Sequence, residues 1–446
     1  MLGSLAFSLA HRLRRSQALR EYRRIAGEPW LPPEVVQARQ LESLRGLLAH
    51  AERTVPYYRE LFKTIGARSE DIRSFDDFAK FPILTKDILR ARQEDLLSET
   101  ADRSTLTVQH SGGSTGVPVR FYRAPSYLDA SDAGTYRNLA QCGWKPGDMI
   151  AFFWGFNQRL DAMPPWQFEM RQRLRRFYQL DPFKSGEHEM SQWAAKWPSI
   201  APRTALGYAS TMGRFAEFLL RTGTRVAPLK GAFTTAEKLY PAQRDAIERA
   251  FSCKVYDLYG SSEVQNIASE CPHGRMHVNA DYCVLEVQES AELKSHQLLA
   301  TSLKQWAMPF IRYRNEDSGA LEAGQCDCGR GFPLMQLQVA RMSDNFIFPD
   351  GRVVHGEFFT HLMYGTEGIG SFQFHQTASD QIVMRIVPAP GSAERRRAAV
   401  LNAVEQIHHL AGELVSVEVL EVESIPLSRA GKHRFTLSDV ESSVRG

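Results

Sequence analysis

Cysteine is scarce, with six in 446 residues. That excludes a disulfide-built scaffold, and a reducing, cytoplasmic setting is the expectation. A surplus of charge of one sign is also missing. The formal net charge is only +3, which gives nucleic acid no electrostatic reason to bind. No apolar run reaches the length that spans a bilayer, so no transmembrane segment is expected. Nor is there a Gly-Lys-Ser/Thr at the spacing of a Walker loop, which argues against a kinase or ATPase that releases ADP. Internal repeats and low-complexity tracts are absent. What is present, 43% hydrophobic and 24% charged residues, describes a globular chain long enough for two or three domains.

The first ten residues are mildly apolar, and Arg12, Arg14 and Arg15 follow them rather than precede them. That order is wrong for a signal peptide. With Leu13 and Leu19 the stretch reads as an amphipathic helix. It is expected to pack on the body of the protein, and a peripheral membrane contact stays open.

Residues 1–100 read as a mostly helical lead-in. Leu41, Leu44, Leu47 and Leu48 recur at helical spacing within 35–51, and Thr85 is an expected N-cap. From 106 to 303, β-prone runs alternate with helical ones. Strands are expected at 150–154 and 254–259, and helices at 212–221 and 241–251. Such alternation predicts an α/β fold with a partly parallel sheet. After Met342 the pattern changes to strands at 372–376 and 381–387, a helix at 394–412 and a strand at 415–422. The expected organisation is therefore a large N-terminal domain, 1–342, with mixed sheets and helices. A small mobile α+β domain, 343–446, follows it.

Five motifs carry chemistry. Ser111-Gly112-Gly113-Ser114-Thr115-Gly116 lies between two β-prone runs, and its amides and hydroxyls could cradle a phosphate. Taken alone it reads first as a polar hairpin turn. Asp257 and Tyr259 end a strand, and Gly260-Ser261-Ser262-Glu263 turns the chain. The tyrosine could stack on a base, and the glutamate could hold a hard cation. Tyr313-Arg314-Asn315-Glu316-Asp317 follows an apolar run, and an Asp at a strand end could take both hydroxyls of a ribose. Arg341-Met342-Ser343-Asp344 sits at the expected domain boundary. Gly431-Lys432 presents a lysine on a loop, suited to stabilising charge that develops at a phosphate.

In this order the motifs resemble the adenylate-forming (acyl-activating) ligase superfamily. Val55-Pro56-Tyr57-Tyr58, Phe81-Pro82-Ile83-Leu84-Thr85-Lys86 and Thr235-Ala236-Glu237 are similar to its phenylacetate–coenzyme A ligase-like branch, which includes relatives from capsule-biosynthesis clusters. The resemblance runs from about residue 40 to 436 and implies a two-step reaction. A small carboxylic acid attacks the α-phosphate of ATP, releasing pyrophosphate, and an acceptor then displaces AMP from the acyl-adenylate.

By position, the resemblance implies that 111–116 hold the phosphates and Glu263 binds Mg²⁺. Tyr259 would lie on the adenine, and Asp317 would take the ribose with Arg341 nearby. Lys432 would serve adenylation. Ala236 and Glu237 would line the acyl/nucleotide pocket, with Tyr136, Trp154, Phe156, Tyr208, Phe233 and Thr234 as guesses for further walls. Coenzyme A is the family's default acceptor; an amine, a hydroxyl or a carrier-protein thiol is the alternative. Departures from the family pattern are Ser343 for the usual hinge acid, Ala340 for a glycine, and Asn315-Glu316 for Thr-Gly. They keep a non-catalytic nucleotide- or acyl-binding protein in play.

The remaining signal is a Cys/His set. Cys271, His277, Cys326 and Cys328 would complete a closed tetrahedral zinc site, structural rather than catalytic. His273 competes with His277 as the fourth ligand.

Overall fold

The computed structural model describes residues 2–111, 119–155, 164–182, 185–290, 295–339, 345–363, 366–389, 391–412, 414–426 and 434–440. The chain divides into two compact units. One is built from 1–111, 119–147 and 256–340, and the other includes 148–255 and the C-terminal stretch.

In the first unit the lead-in is helical, as its leucine spacing predicts. Pro33–Thr54 buries Leu44, Leu47 and Leu48, and Pro56–Thr64 buries Tyr58 and Phe62. The Thr85 hydroxyl caps Lys86–Ala91 by accepting the Ile88 N–H at 3.3 Å. Thr107–Ser111 and Val119–Arg123 pair antiparallel, with Ser111 opposite Val119. The glycine-rich stretch thus connects the two arms of a hairpin. Helix Pro125–Ala140 follows.

An antiparallel sheet completes the unit. Its order is Cys283–Ser290, Ser295–Ser302, Tyr313–Glu322, Leu334–Val339, Met276–Val278, Ala268–Glu270, ending on Val255–Tyr259. The alternation read across 106–303 therefore does not continue as parallel structure beyond residue 259, where the pairings become antiparallel. The reason is connection length: the few residues between Glu270 and Met276 allow a turn but no crossover.

The second unit contains the parallel sheet. Gly231–Thr235, Thr204–Tyr208, Ile150–Phe153 and Phe177–Leu180 lie side by side in that order. All five residues of Thr204–Tyr208 are buried, as expected for a strand covered on both faces. Helices Glu187–Ile200, Ala209–Thr222 and Pro241–Phe251 bury Trp193, Trp197, Phe215 and Phe251 against it. The last of these helices has the bounds read from the sequence.

The C-terminal stretch has a core of its own. Strands Ser416–Glu421, Gln381–Pro388, Ile369–Ala378 and Thr436–Ser438 form one mixed sheet in that order. Helix Ala393–Ala411 packs Ala403 and Ile407 against Phe372, Phe374, Met384 and Ile386. The in-out burial along Gln381–Pro388 is the alternation expected of a half-buried strand.

Candidate active site and metal centre

The 259–263 turn and the 313–317 strand meet in one buried hydrogen-bonded set. The Ser261 N–H donates to the Val264 carbonyl at 2.8 Å, and the Val264 N–H donates to Ser261 Oγ at 3.0 Å. This tight turn after Gly260 carries Glu263 into the interior, where its side chain is fully buried. The Tyr313 hydroxyl donates to Glu263 Oε1 at 2.8 Å. The Tyr259 hydroxyl donates to Asp317 Oδ2 at 2.9 Å and accepts from Asn315 Nδ2 at 2.7 Å. Asn315 Oδ1 in turn accepts the Asp317 N–H at 3.2 Å. Each tyrosine of one segment thus ties down a carboxylate of the other.

Asp317 was expected at a strand end. It lies instead inside the ten-residue strand Tyr313–Glu322, at an irregularity. Against the neighbouring strand, Gln297 faces Ser318 while Leu299 faces Arg314. The extra residues between Arg314 and Ser318 bulge out of the ladder, and a bulge re-aims side chains. Asn315 and Asp317, two residues apart, lie on one face of the strand, and both bond Tyr259 there.

Two buried carboxylates need compensation. Arg123 supplies a cation next to the turn. It is buried, its guanidinium donates to the Ser262 carbonyl, and it lies over the rings of Phe121 and Tyr127. No motif pointed to it. The available signal was parity: Arg123 shares a strand face with Val119 and Phe121, both buried.

The other expected site residues fall as follows. Gly112, Gly113, Ser114, Thr115, Gly116, Phe156, Ala340, Arg341, Ser343 and Lys432 lie outside the described residues, and Ser111 is described by its backbone only. The Asp257 N–H donates to Glu270 Oε2 at 2.8 Å. Ala236 follows strand Gly231–Thr235 at φ +68°, a left-handed conformation that costs a residue with a Cβ about 1–2 kcal/mol. The Glu237 carboxylate accepts the Ser210 N–H at 2.7 Å and the Ser210 hydroxyl at 2.9 Å. It thereby sits at the positive end of helix Ala209–Thr222. Trp154 stacks on Tyr208 with centroids 4.5 Å apart, and Phe233 and Thr234 are fully buried. Tyr136 packs on Trp144 and Phe7, and its hydroxyl meets His11.

Cys271, His277, Cys326 and Cys328 come together, with their ligand atoms all within 4.8 Å of one another. Two turns of the same kind present the thiols. Gly274 N–H donates to the Cys271 carbonyl at 2.9 Å, and Gly329 N–H donates to the Cys326 carbonyl at 3.0 Å. Both glycines have positive φ, +74° and +79°, which a glycine adopts without strain.

His277 comes from strand Met276–Val278, and its Nδ1 bonds the Phe332 carbonyl at 3.0 Å, leaving Nε2 for a ligand. Burial holds the imidazole below its usual pKa, hence neutral. His273 is exposed and outside the cluster.

A tetrahedral ion with Zn–S near 2.3 Å separates two sulfurs by about 3.8 Å, and sulfur from nitrogen by about 3.6 Å. Cys271 Sγ and Cys326 Sγ are 3.7 Å apart, and Cys328 Sγ and His277 Nε2 are 3.4 Å apart. The donor set therefore fits zinc.

The fold is that of adenylate-forming ligases. A solved 2-hydroxyisobutyryl-CoA ligase, in complex with 2-HIB-AMP and CoA, matches with a TM-score of 0.61 over 93% of this chain and 91% of its own, at 20% identity. Protein CapK of Staphylococcus aureus is 21% identical over 86% of this chain and 85% of its own. The phenylacetate-coenzyme A ligase of Thermus thermophilus is 24% identical over 88% and 87%, and that of Escherichia coli 26% over 65% and 68%. Residues 346–439 match the CapK C-terminal domain. These matches agree with the resemblance of the chain to the adenylate-forming ligases and to their phenylacetate–coenzyme A ligase-like branch.

Proposed function

We propose that this chain is an ATP-dependent, AMP-forming ligase that converts a small carboxylic acid to its acyl-adenylate and passes the acyl group on. The observation that carries the reading is the buried meeting of Tyr259 and Glu263 with Tyr313, Asn315 and Asp317, which holds two carboxylates and two tyrosines from separated motifs in fixed positions. Pre-positioned groups of this kind act on charge that develops in a reaction without reorganising.

In this reading Asp317, oriented by Tyr259 and Asn315, takes the ribose hydroxyls. The 111–116 stretch takes the phosphates with Arg341 nearby, and Ala236 and Glu237 border the acyl site. Glu263 would hold Mg²⁺, which when bound offsets phosphate charge. Lys432, carried by the 343–446 domain, neutralises charge as the carboxylate attacks the α-phosphate. The same domain rotates between the two half-reactions. Cys271, His277, Cys326 and Cys328 would hold a structural zinc that ties the turn after Glu270 to the one after Glu322.

Coenzyme A is the favoured acceptor, since the phenylacetate-coenzyme A ligases and the 2-hydroxyisobutyryl-CoA ligase named above carry that acceptor in their names. An amine, a hydroxyl or a carrier thiol is the alternative, because no feature of this chain marks a coenzyme A site.

The test is pyrophosphate release with ATP, Mg²⁺ and a panel of acids, beside Lys432→Ala. Acid-dependent release that the substitution abolishes while ATP binding survives is expected. ATP binding with no release from any acid would favour a non-catalytic binding protein instead. Candidate acceptors added to the adenylate then separate thiol from amine and hydroxyl.

A further inference from the structure

The chain as a whole is almost neutral, yet two helices that expose aligned apolar side chains carry arginines within them or just after their ends. Helix Leu2–Leu13 docks by one face, burying Phe7, Ala10 and His11. Leu5, Leu9 and Leu13 are exposed on another face, spaced by four residues, which on a helix is a single line. Residues 2–15 contain Arg12, Arg14 and Arg15 and no acid. Arg14 makes only a 4.0 Å contact with Asp132. Arg12 and Arg15 have no ion-pair partner among the described residues.

Helix Pro165–Arg175, in the other unit, repeats the arrangement. It buries Gln172 and exposes Trp166, Met170 and Leu174, again spaced by four. Residues 165–176 hold Arg171, Arg173, Arg175 and Arg176 against Glu169 alone, and Arg173 pairs with that glutamate at 2.9 Å. Exposure of the six apolar residues runs from 39% for Leu174 to 75% for Leu13. Single exposed leucines need no explanation, but two aligned, arginine-flanked stripes do.

We propose that each of these helices is a contact element for an anionic lipid bilayer surface. An aligned apolar stripe beside arginines, with few acids, is the composition of a helix that lies in the membrane interface. Tryptophan is the side chain that best suits that boundary. The charge distribution selects the occupant. An apolar groove on a protein would satisfy the stripes alone, whereas a surface of lipid phosphates also attracts the positive charge beside them. The arginine clusters also act over about a Debye length, so attraction weakens as salt rises. The inference stands on its own observations and is independent of the chemistry proposed above.

The experiment is co-sedimentation of the full chain with phosphatidylcholine vesicles, with and without phosphatidylglycerol, at low and high salt. Binding to the anionic vesicles that falls with salt is expected. The triple variant Leu5→Ser, Leu9→Ser, Leu13→Ser and the triple variant Trp166→Ser, Met170→Ser, Leu174→Ser should each lower the partition coefficient about tenfold, as should Arg12→Gln with Arg15→Gln. All the substituted apolar side chains are exposed, so circular dichroism should stay unchanged and separate lost binding from lost folding. No binding to anionic vesicles overturns the proposal, as does binding that the variants leave intact. Size-exclusion chromatography supplies the remaining outcome: a wild-type dimer that either triple variant converts to monomer, without vesicle binding, would assign the stripe to a second copy of this chain.

Discussion

Removing the metal from the Cys271, His277, Cys326 and Cys328 site is the perturbation with the most calculable consequence. The four ligand atoms are already gathered at separations close to those around a tetrahedral ion, so zinc should bind the folded chain without rearrangement and the unfolded chain poorly. A ligand that binds only the folded state, present at a thousand times its Kd, adds about 4 kcal/mol. For a unit of this size each kcal/mol moves Tm by roughly 2–4 °C. Chelation should then lower the transition of the 1–111, 119–147 and 256–340 unit by roughly 8–16 °C.

Burial pushes the Cys326 thiol up to about 11, so the metal-free cluster holds protonated sulfur at that position at neutral pH. Acid should therefore release zinc by competing for the ligands. The assay is elemental analysis of protein purified without chelator, followed by thermal melts before and after chelation and after zinc is restored. One zinc per chain and a reversible shift are expected. Less than stoichiometric zinc, or a melt that chelation leaves in place, would refute the site.

Three further outcomes follow from the geometry. Tyr259→Phe removes the hydroxyl that Asp317 accepts from and Asn315 donates to. Loss of a hydrogen bond to a charged group should raise the KM for ATP between about tenfold and a hundredfold. An unchanged KM with a fallen kcat would contradict a nucleotide role. Glu263→Gln should blunt the Mg²⁺ response of pyrophosphate release, and an unaltered response removes Glu263 from the cation. Arg137 reaches Asp281 at 2.6 Å and Asn279 at 2.8 Å with both charged side chains buried. Arg137→Met strands the Asp281 carboxylate and should cost about 3–5 kcal/mol in urea unfolding, much of it recovered when Asp281→Asn is added. A cost below about 1 kcal/mol would show that solvent reaches the aspartate.

Much of this molecule is decided within a few residues of chain. The leucine spacing sets Pro33–Thr54, the hydroxyl of Thr85 starts its helix, and the proline and periodicity of Pro241–Phe251 set that helix to the residue. The order of the motifs and the Cys/His set could be read for the same reason, because both are patterns of residue type along the chain.

Other features needed the tertiary structure, because they depend on what lies across a sheet. Asp317 and Asn315 share Tyr259 because the sheet brings the strand Tyr313–Glu322 against the end of Val255–Tyr259, more than fifty residues away in sequence. Arg123 belongs to none of the motifs, and it reaches the Ser262 carbonyl through the packing of segments far apart in sequence. His277 rather than His273 joins the thiols because strand pairing sets it opposite Leu334, beside the Cys326 turn, while His273 stays at the exposed tip of its own turn. The residue types that could do the chemistry are local facts. Which of them meet is fixed by register and packing between segments far apart in sequence, and those are properties of the assembled sheet.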